Sequence, residues 1–394
     1  MAKNGAFVGR FVRLLVVAAV GFLIGSPVRS SADDRPLSFS AVNVADLFSN
    51  LDGGLQRGIR ALDKFDVMAR YVADADAFPG FSAFLDLQLT NEAAFSENFV
   101  GDAQGVSNID APGGIRLANA WIAKDFDGLG GVKAGLIDLN SEFDVQRTAA
   151  LFLNSSQGIG PDFAQTGLNG PSIFPSTGFG VVGWWLPGGH WELKSGVFEG
   201  IPGDAAHPGR TEIDFSSNEG VLLTFEAHYR PTPDLVLGAG AWSYTAAFDT
   251  IEAPHPVHGN AGLYALADGT LYKTGFNETL NGWVRAGFAN DDINPIAFYL
   301  GGGLVYTGAF GRDGDQVGVA FARAQFGGPA RRDAHLAGGT LDAETTLEAT
   351  YSYIVTETVT VQPDLQYVIA PGGDPSLPNA LVAGVRLTVS WEQQ

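Results

Sequence analysis

The sequence predicts an all-β fold: a transmembrane antiparallel up-and-down β-barrel of about 16 strands with one long loop folded inward as a constriction. Three observations lead there. Segment after segment alternates apolar and polar residues with period two. Many segments run to about ten residues, the length a tilted strand needs to cross a bilayer, where soluble strands average about five or six. Their polar faces carry charges of both signs, as in Glu226, His228 and Arg230 against Val221, Leu223, Phe225, Ala227 and Tyr229. Such charges are costly in a dry sandwich core and comfortable in a watery lumen.

At the start, Lys3, Arg10 and Arg13 precede an apolar run at 14–24 and the small residues Ser30 and Ala32. This is the pattern of a secretory signal peptide, taken as residues 1–32, and about eleven apolar residues are too few to span a membrane as a helix. Residues 33–60 read as an irregular N-terminal extension on the periplasmic side, with a short helix near 44–51 ended by Asp52-Gly53-Gly54. The barrel is expected over 61–394. After the signal peptide no apolar run approaches the length of a spanning helix, so membrane crossing falls to strands.

Strands are expected at 66–73, 81–90, 115–124, 131–137, 178–186, 190–199, 221–230, 235–245, 261–267, 279–289, 298–307, 316–326, 344–353, 358–369 and 381–391, with one more hidden in a long loop. In 81–90, Phe81, Ala83, Leu85, Leu87 and Leu89 share one face, while Ser82, Phe84, Asp86, Gln88 and Thr90 share the other. Aromatics near segment ends, Trp184, Trp185, Trp191, Trp242, Tyr244, Tyr299, Tyr306, Tyr351, Tyr353 and Trp391, suit the girdles of an outer-membrane barrel. Short connections alternate with long ones.

Composition narrows the function. The chain lacks cysteine, which removes disulfides and thiolate metal sites, and its formal charge of −20 argues against nucleic acid as a partner. Gly178-Phe-Gly-Val-Val-Gly183 matches a dinucleotide-binding pattern but runs on into Trp184 and Trp185 with no helix to follow, so it reads as strand. Among the six histidines only His255 and His258 are close, and nothing at recognisable spacing completes a metal site. Asp125 and Asp127 before Gly128 read as a polar hairpin rather than a calcium loop. No metal and no cofactor are expected.

The longest aperiodic stretch, residues 138–180, mixes acids, amides and aromatics. Loops of this length are uncommon in compact domains unless functional. Candidates for a constriction or substrate-binding lining are Asp138, Asn140, Glu142, Phe143, Asp144, Arg147, Asn154, Asp162, Phe163, Gln165 and Asn169, with Arg116 and Arg285 from nearby strands completing opposite walls of charge. Planar amides and carboxylates bond sugar hydroxyls and aromatic faces pack on pyranose rings. Asp138, Glu142, Asp144 and Asp162 could instead form a hydrolytic pair.

The same stretch carries DLNSEF, FLNSS, GIGPDF, QTG and NGPSIFP in that order, and GDAQGVSNIDAP, GIPGDAAHP and QPDLQYVIAPGGDP stand elsewhere. In these the chain resembles the carbohydrate-selective porins of Gram-negative outer membranes, the OprB family. The resemblance implies a non-enzymatic outer-membrane channel for small sugars, glucose-like monosaccharides or short oligosaccharides. Its partners would be those solutes, outer-membrane lipid and lipopolysaccharide, and the barrel-assembly machinery; monomer and trimer both stay open, with monomer slightly favoured. A general porin, a barrel hydrolase and a secreted sugar-binding β-protein are the rival readings.

Overall fold

The computed structural model describes residues 36–74, 78–213, 220–252, 255–274 and 278–393. The expected signal peptide lies outside them. Sixteen strands among the described residues form one closed antiparallel barrel, each paired with its sequence neighbour and the last with the first. They are β1 Leu37–Asp52, β2 Gly58–Val72, β3 Phe81–Thr90, β4 Gly114–Asp125, β5 Gly130–Ile137, β6 Gly178–Gly188, β7 Trp191–Glu199 and β8 Val221–Thr232, then β9 Leu235–Asp249, β10 Pro256–Thr274, β11 Glu278–Ala289, β12 Ile296–Thr307, β13 Gln316–Phe326, β14 Ala343–Thr356, β15 Val359–Ile369 and β16 Ala380–Glu392. Closure removes the free sheet edge, which is what lets strands cross hydrocarbon. No helix among the described residues is long and apolar enough to do so.

Register follows the alternation. Across β15 and β16, Val361 pairs with Leu387 and Leu365 with Ala383, while Gln362 pairs with Arg386 and Asp364 with Gly384. Leu365 and Leu387 are exposed on the outer surface and Gln362, Asp364 and Arg386 are buried inside. In β3, likewise, Leu85 and Leu87 face out and Asp86 and Gln88 face in. The connections at 126–129, 189–190, 233–234 and 357–358 are tight turns on one rim. The long ones, at 91–113, at 138–177, between Glu199 and Val221, and at 327–342, start from the opposite ends of the strands. Short turns mark the periplasmic side of such barrels.

Two expectations change. Residues 37–52 are neither extension nor helix but β1, paired with β2 and, through Ala41 opposite Trp391 and Asp46 opposite Arg386, with β16. The reason lies at Phe48, an apolar residue that points inward and packs on Phe95 at 6.0 Å. Leu47, Phe48 and Leu51 then mimic a helical stripe. Second, Trp242, Tyr244 and Tyr299 are not girdle residues: they are at most 2 % exposed and face the lumen, whereas Trp185, Trp191, Tyr353 and Trp391 are exposed outside.

Candidate functional site

β5 is the shortest strand, eight residues long, and at its end the chain turns into the lumen instead of rising to the rim. The inner loop, 138–177, is closed at its base by Ser172. Its Oγ donates to the Ile137 carbonyl at 2.6 Å and accepts from the Gly178 N–H at 2.8 Å, and its carbonyl accepts from the Leu139 N–H at 2.6 Å. Asp138 caps the turn Leu139–Ser141 by accepting from the Asn140 N–H at 2.9 Å. Two further turns, Thr148–Leu151 and Ser155–Gln157, and the helical turn Pro161–Ala164 follow.

The loop is bolted to one side of the barrel. Phe163 stacks on Trp242 of β9 at 5.3 Å and an interplanar angle of 3°, and Phe143 meets Phe198 of β7 edge-on. Such pairs contribute about 0.5–1.5 kcal/mol each beyond their buried area. Leu151 and Phe152 pack with Trp283 and Val305 on β11 and β12. Polar bolts sit among these. Arg285 of β11, 1 % exposed, donates to Asp144 at 2.8 Å and also pairs with Asp162. Gly160 and Gly287 flank this pair, where a Cβ would lie 2.2–2.3 Å from Arg285 or Asp162 atoms. Glu226 of β8 accepts from the Asp144 N–H at 2.8 Å and from the Tyr264 hydroxyl at 2.6 Å. Asp268 takes the N–H and hydroxyl of Thr148, Glu348 the N–H groups of Leu153 and Asn154, and Tyr299 donates to the Ser156 carbonyl.

A second connection, 91–113, also folds inward, a feature the alternation does not announce. Phe95, Phe99 and Val106 bury against Phe48, Leu62 and Val382. Ser107 donates to Asp46 at 2.7 Å, and Arg386 donates to Asn108 at 2.8 Å. The two loops join through the Ser155 N–H to the Gly105 carbonyl and the Asn108 N–H to the Leu153 carbonyl, both 2.8 Å.

What stays open is an eyelet on the other side, a cavity of about 560 Å³ between the loops and the wall of β1–β4 and β16. Its wall offers Lys64, Asp86, Gln88, Asn119 and Arg386; the second loop adds Asn108 and Asp110, and the inner loop adds Asp138, Asn140, Gln165 and Phe174. The Lys64 ammonium lies 5.9 Å from the Phe174 ring centre. Burial pushes the Asp138 carboxyl up to about 6, with hydrogen bonds and Lys64 opposing the shift.

Of the residues expected from sequence, the eyelet therefore gathers Asp138, Asn140 and Gln165. Phe143, Asp144, Asn154, Asp162 and Phe163 are buried against partners on β7–β15, Arg285 of β11 among them, and none of these six lines the eyelet. Glu142 pairs with Lys133. Asn169 donates to the Pro202 carbonyl at 2.7 Å, tying the loop to the connection at 200–220. Arg116 is buried and donates to the Pro208 and Pro112 carbonyls and the Thr90 hydroxyl, so it pins rim connections together. Arg147 is exposed in a separate cavity of about 470 Å³ beneath the loop, beside Asp234 and Asp268. The lining residues that loop composition does not reveal are Lys64, Asp86, Gln88, Asn119, Asp110 and Arg386, whereas Phe174 is one of the loop's own aromatics. For Asp86 and Gln88 the signal was present in the inward phase of β3.

A closed barrel whose water-filled interior is narrowed by inward loops is a porin of a bacterial outer membrane. The chain belongs to the carbohydrate-selective porins of the OprB family, whose family model matches residues 82–391. It is 23 % identical over 412 residues to Porin B of Pseudomonas aeruginosa, covering 91 % of this chain and 88 % of that protein. A solved structure of Pseudomonas putida OprB superposes with a TM-score of 0.80 at 21 % identity, covering 91 % of this chain and 95 % of that one. A variant of the Rh. blastica porin shares the fold at a TM-score of 0.54 and 15 % identity, covering 90 % and 100 %. The protein is a sugar-selective outer-membrane porin, and family and barrel together point to a channel rather than an enzyme.

Proposed function

We propose that monosaccharides and short oligosaccharides diffuse passively through the eyelet between the inner loop and the wall of β1–β4, and that sugar preference is set there without covalent chemistry. The observation that carries this reading is the cavity itself. Donors and acceptors stand on both sides of it, Gln88 and Asn119 facing Asn140 and Gln165, with the half-buried ring of Phe174 among them for a pyranose face. Contacts of this kind are each worth about 0.5–1.5 kcal/mol net, weak enough for a solute to leave again. A hydrolytic reading needs a free acid and a free base. Of the four inner-loop carboxylates that could have formed such a pair, Asp144 and Asp162 are both held by Arg285 and Glu142 by Lys133, which leaves Asp138 without a second from the loop. Removal of residues 1–32 on export, contact of the outer face with lipid and lipopolysaccharide, and delivery to the barrel-assembly machinery belong to the same proposal.

Liposome swelling tests it. Glucose should enter faster than an uncharged non-sugar of equal size, and Phe174→Ala and Asn140→Ala should narrow that difference a few-fold with assembly intact. Equal rates for the two solutes in the parent protein would sink the sugar reading of the eyelet.

A further inference from the structure

The charges around the eyelet do not cancel. Its two cations are already engaged: Lys64 pairs with Asp66 at 2.8 Å, and Arg386 is bidentate to Asp46 at 2.7 Å. Asp86, Asp110 and Asp138 also line the cavity, and none of them makes an ion pair with a described residue. One oxygen of Asp86 and one of Asp110 accept no hydrogen bond from the protein. Asp86 is 8 % exposed, so its carboxylate gives up most of its water. Gln88 beside it is 4 % exposed; its amide nitrogen donates to Asp66 at 2.8 Å, and its amide oxygen accepts nothing. Buried acceptors left unmatched are costly, and a site made of them calls for a donor. A solute that brings positive charge into the cavity offsets, through space, both the unmatched buried oxygens and the surplus of carboxylates.

We propose that the eyelet is a cation filter: it concentrates small monovalent cations, favours protonated amino sugars over neutral sugars of the same size, and holds back sugar acids and sugar phosphates. The ammonium of an amino sugar would be held in the field of Asp86, Asp110 and Asp138, with the unmatched oxygens of Asp86 and Gln88 closed off behind the cavity surface. The amino-sugar half rests on the sugar pathway proposed above; the ionic half does not.

A unit charge about 7 Å from the path shifts the local concentration of a monovalent ion about threefold in water, less as salt screens it. Two measurements on the full-length protein decide the matter. In a planar bilayer under a KCl gradient the reversal potential should show potassium favoured over chloride. Asp86→Asn, which keeps the shape of the side chain, should lower that ratio about threefold, and Asp86→Asn with Asp138→Asn should lower it further. In liposome swelling glucosamine should outrun glucose and gluconate should lag, and both gaps, taken as ratios to the glucose rate of the same variant, should narrow in Asp86→Asn. A parent pore without cation preference, or a double variant with an unchanged ratio, overturns the filter. If the ion preference stands while glucose runs no faster than a non-sugar, the ionic half survives and the amino-sugar half falls with the sugar pathway.

Discussion

Two sides of one lumen treat the inner loop in opposite ways. Along β7–β15 the loop is buried against Phe198, Trp242, Tyr264 and Trp283 and bonded to Glu226, Asp268, Arg285 and Glu348. Along β1–β4 and β16 it stands off across a cavity, touching the wall at its base, where the Asp138 N–H meets Asn119 and Thr177 donates to the Ala118 carbonyl. Carboxylates that look interchangeable in sequence divide between the two sides: Asp144 and Asp162 are struts, Asp138 is lining. Arginines divide in the same way. Arg285 takes two carboxylates in a dry interface, while Arg147 stands exposed under the loop. Side-chain chemistry decides what a residue can bond, but the side of the barrel it faces decides whether that bond holds the loop or meets the solute.

The largest effect should come from breaking the bolted side. Arg285→Met strands two buried carboxylates, at a cost of about 3–5 kcal/mol. The loop should leave the wall, and single-channel recordings should show a larger, fluctuating conductance with reduced sugar discrimination. A variant whose traces match the parent would mean that the aromatic contacts alone hold the loop. Next comes the inside–outside contrast in β3. Leu85→Arg puts a charge on the lipid face, at about 2–4 kcal/mol near the midplane, and should lower the yield of folded barrel. Gln88→Arg, three residues on but facing the cavity, should assemble and alter conductance instead. Equal yields would show that the strand phase is misassigned.

A smaller effect concerns pH. The Asp138 carboxyl titrates near 6, facing Lys64 and Asp86 across the eyelet, and burial raises Asp110 as well. A raised acid is charged above its shifted value and neutral below it. Cation preference should therefore be full above pH 7 and fall about twofold as pH drops through 6 towards 5. Reversal potentials taken across that range check it, and a flat profile would remove Asp138 from the conducting path. The smallest effect should be at Arg147→Ala, which faces the cavity beneath the bolted side. Stability should change by less than about 0.5 kcal/mol and sugar preference not at all; a changed preference would move the solute path under the loop.

Strand phase, the membrane-spanning length of the strands and the place of the functional insertion are legible from residues alone, because alternation is a property of the extended backbone and needs only near neighbours. Asp86 and Gln88 face inward for that reason, and the segments GIGPDF and NGPSIFP mark the inner loop before any contact is known. The orientation of residues inside that loop is another matter. An aperiodic chain has no phase to read, and the partners that orient it lie far away: Glu226 is 82 residues from Asp144 and Arg285 is 141. Only closure of the barrel brings them together. The same long-range packing makes β1 a strand, since Phe48 breaks the alternation to meet the second inner loop, and turns Trp242 and Tyr244 from apparent girdle residues into the floor on which the inner loop rests.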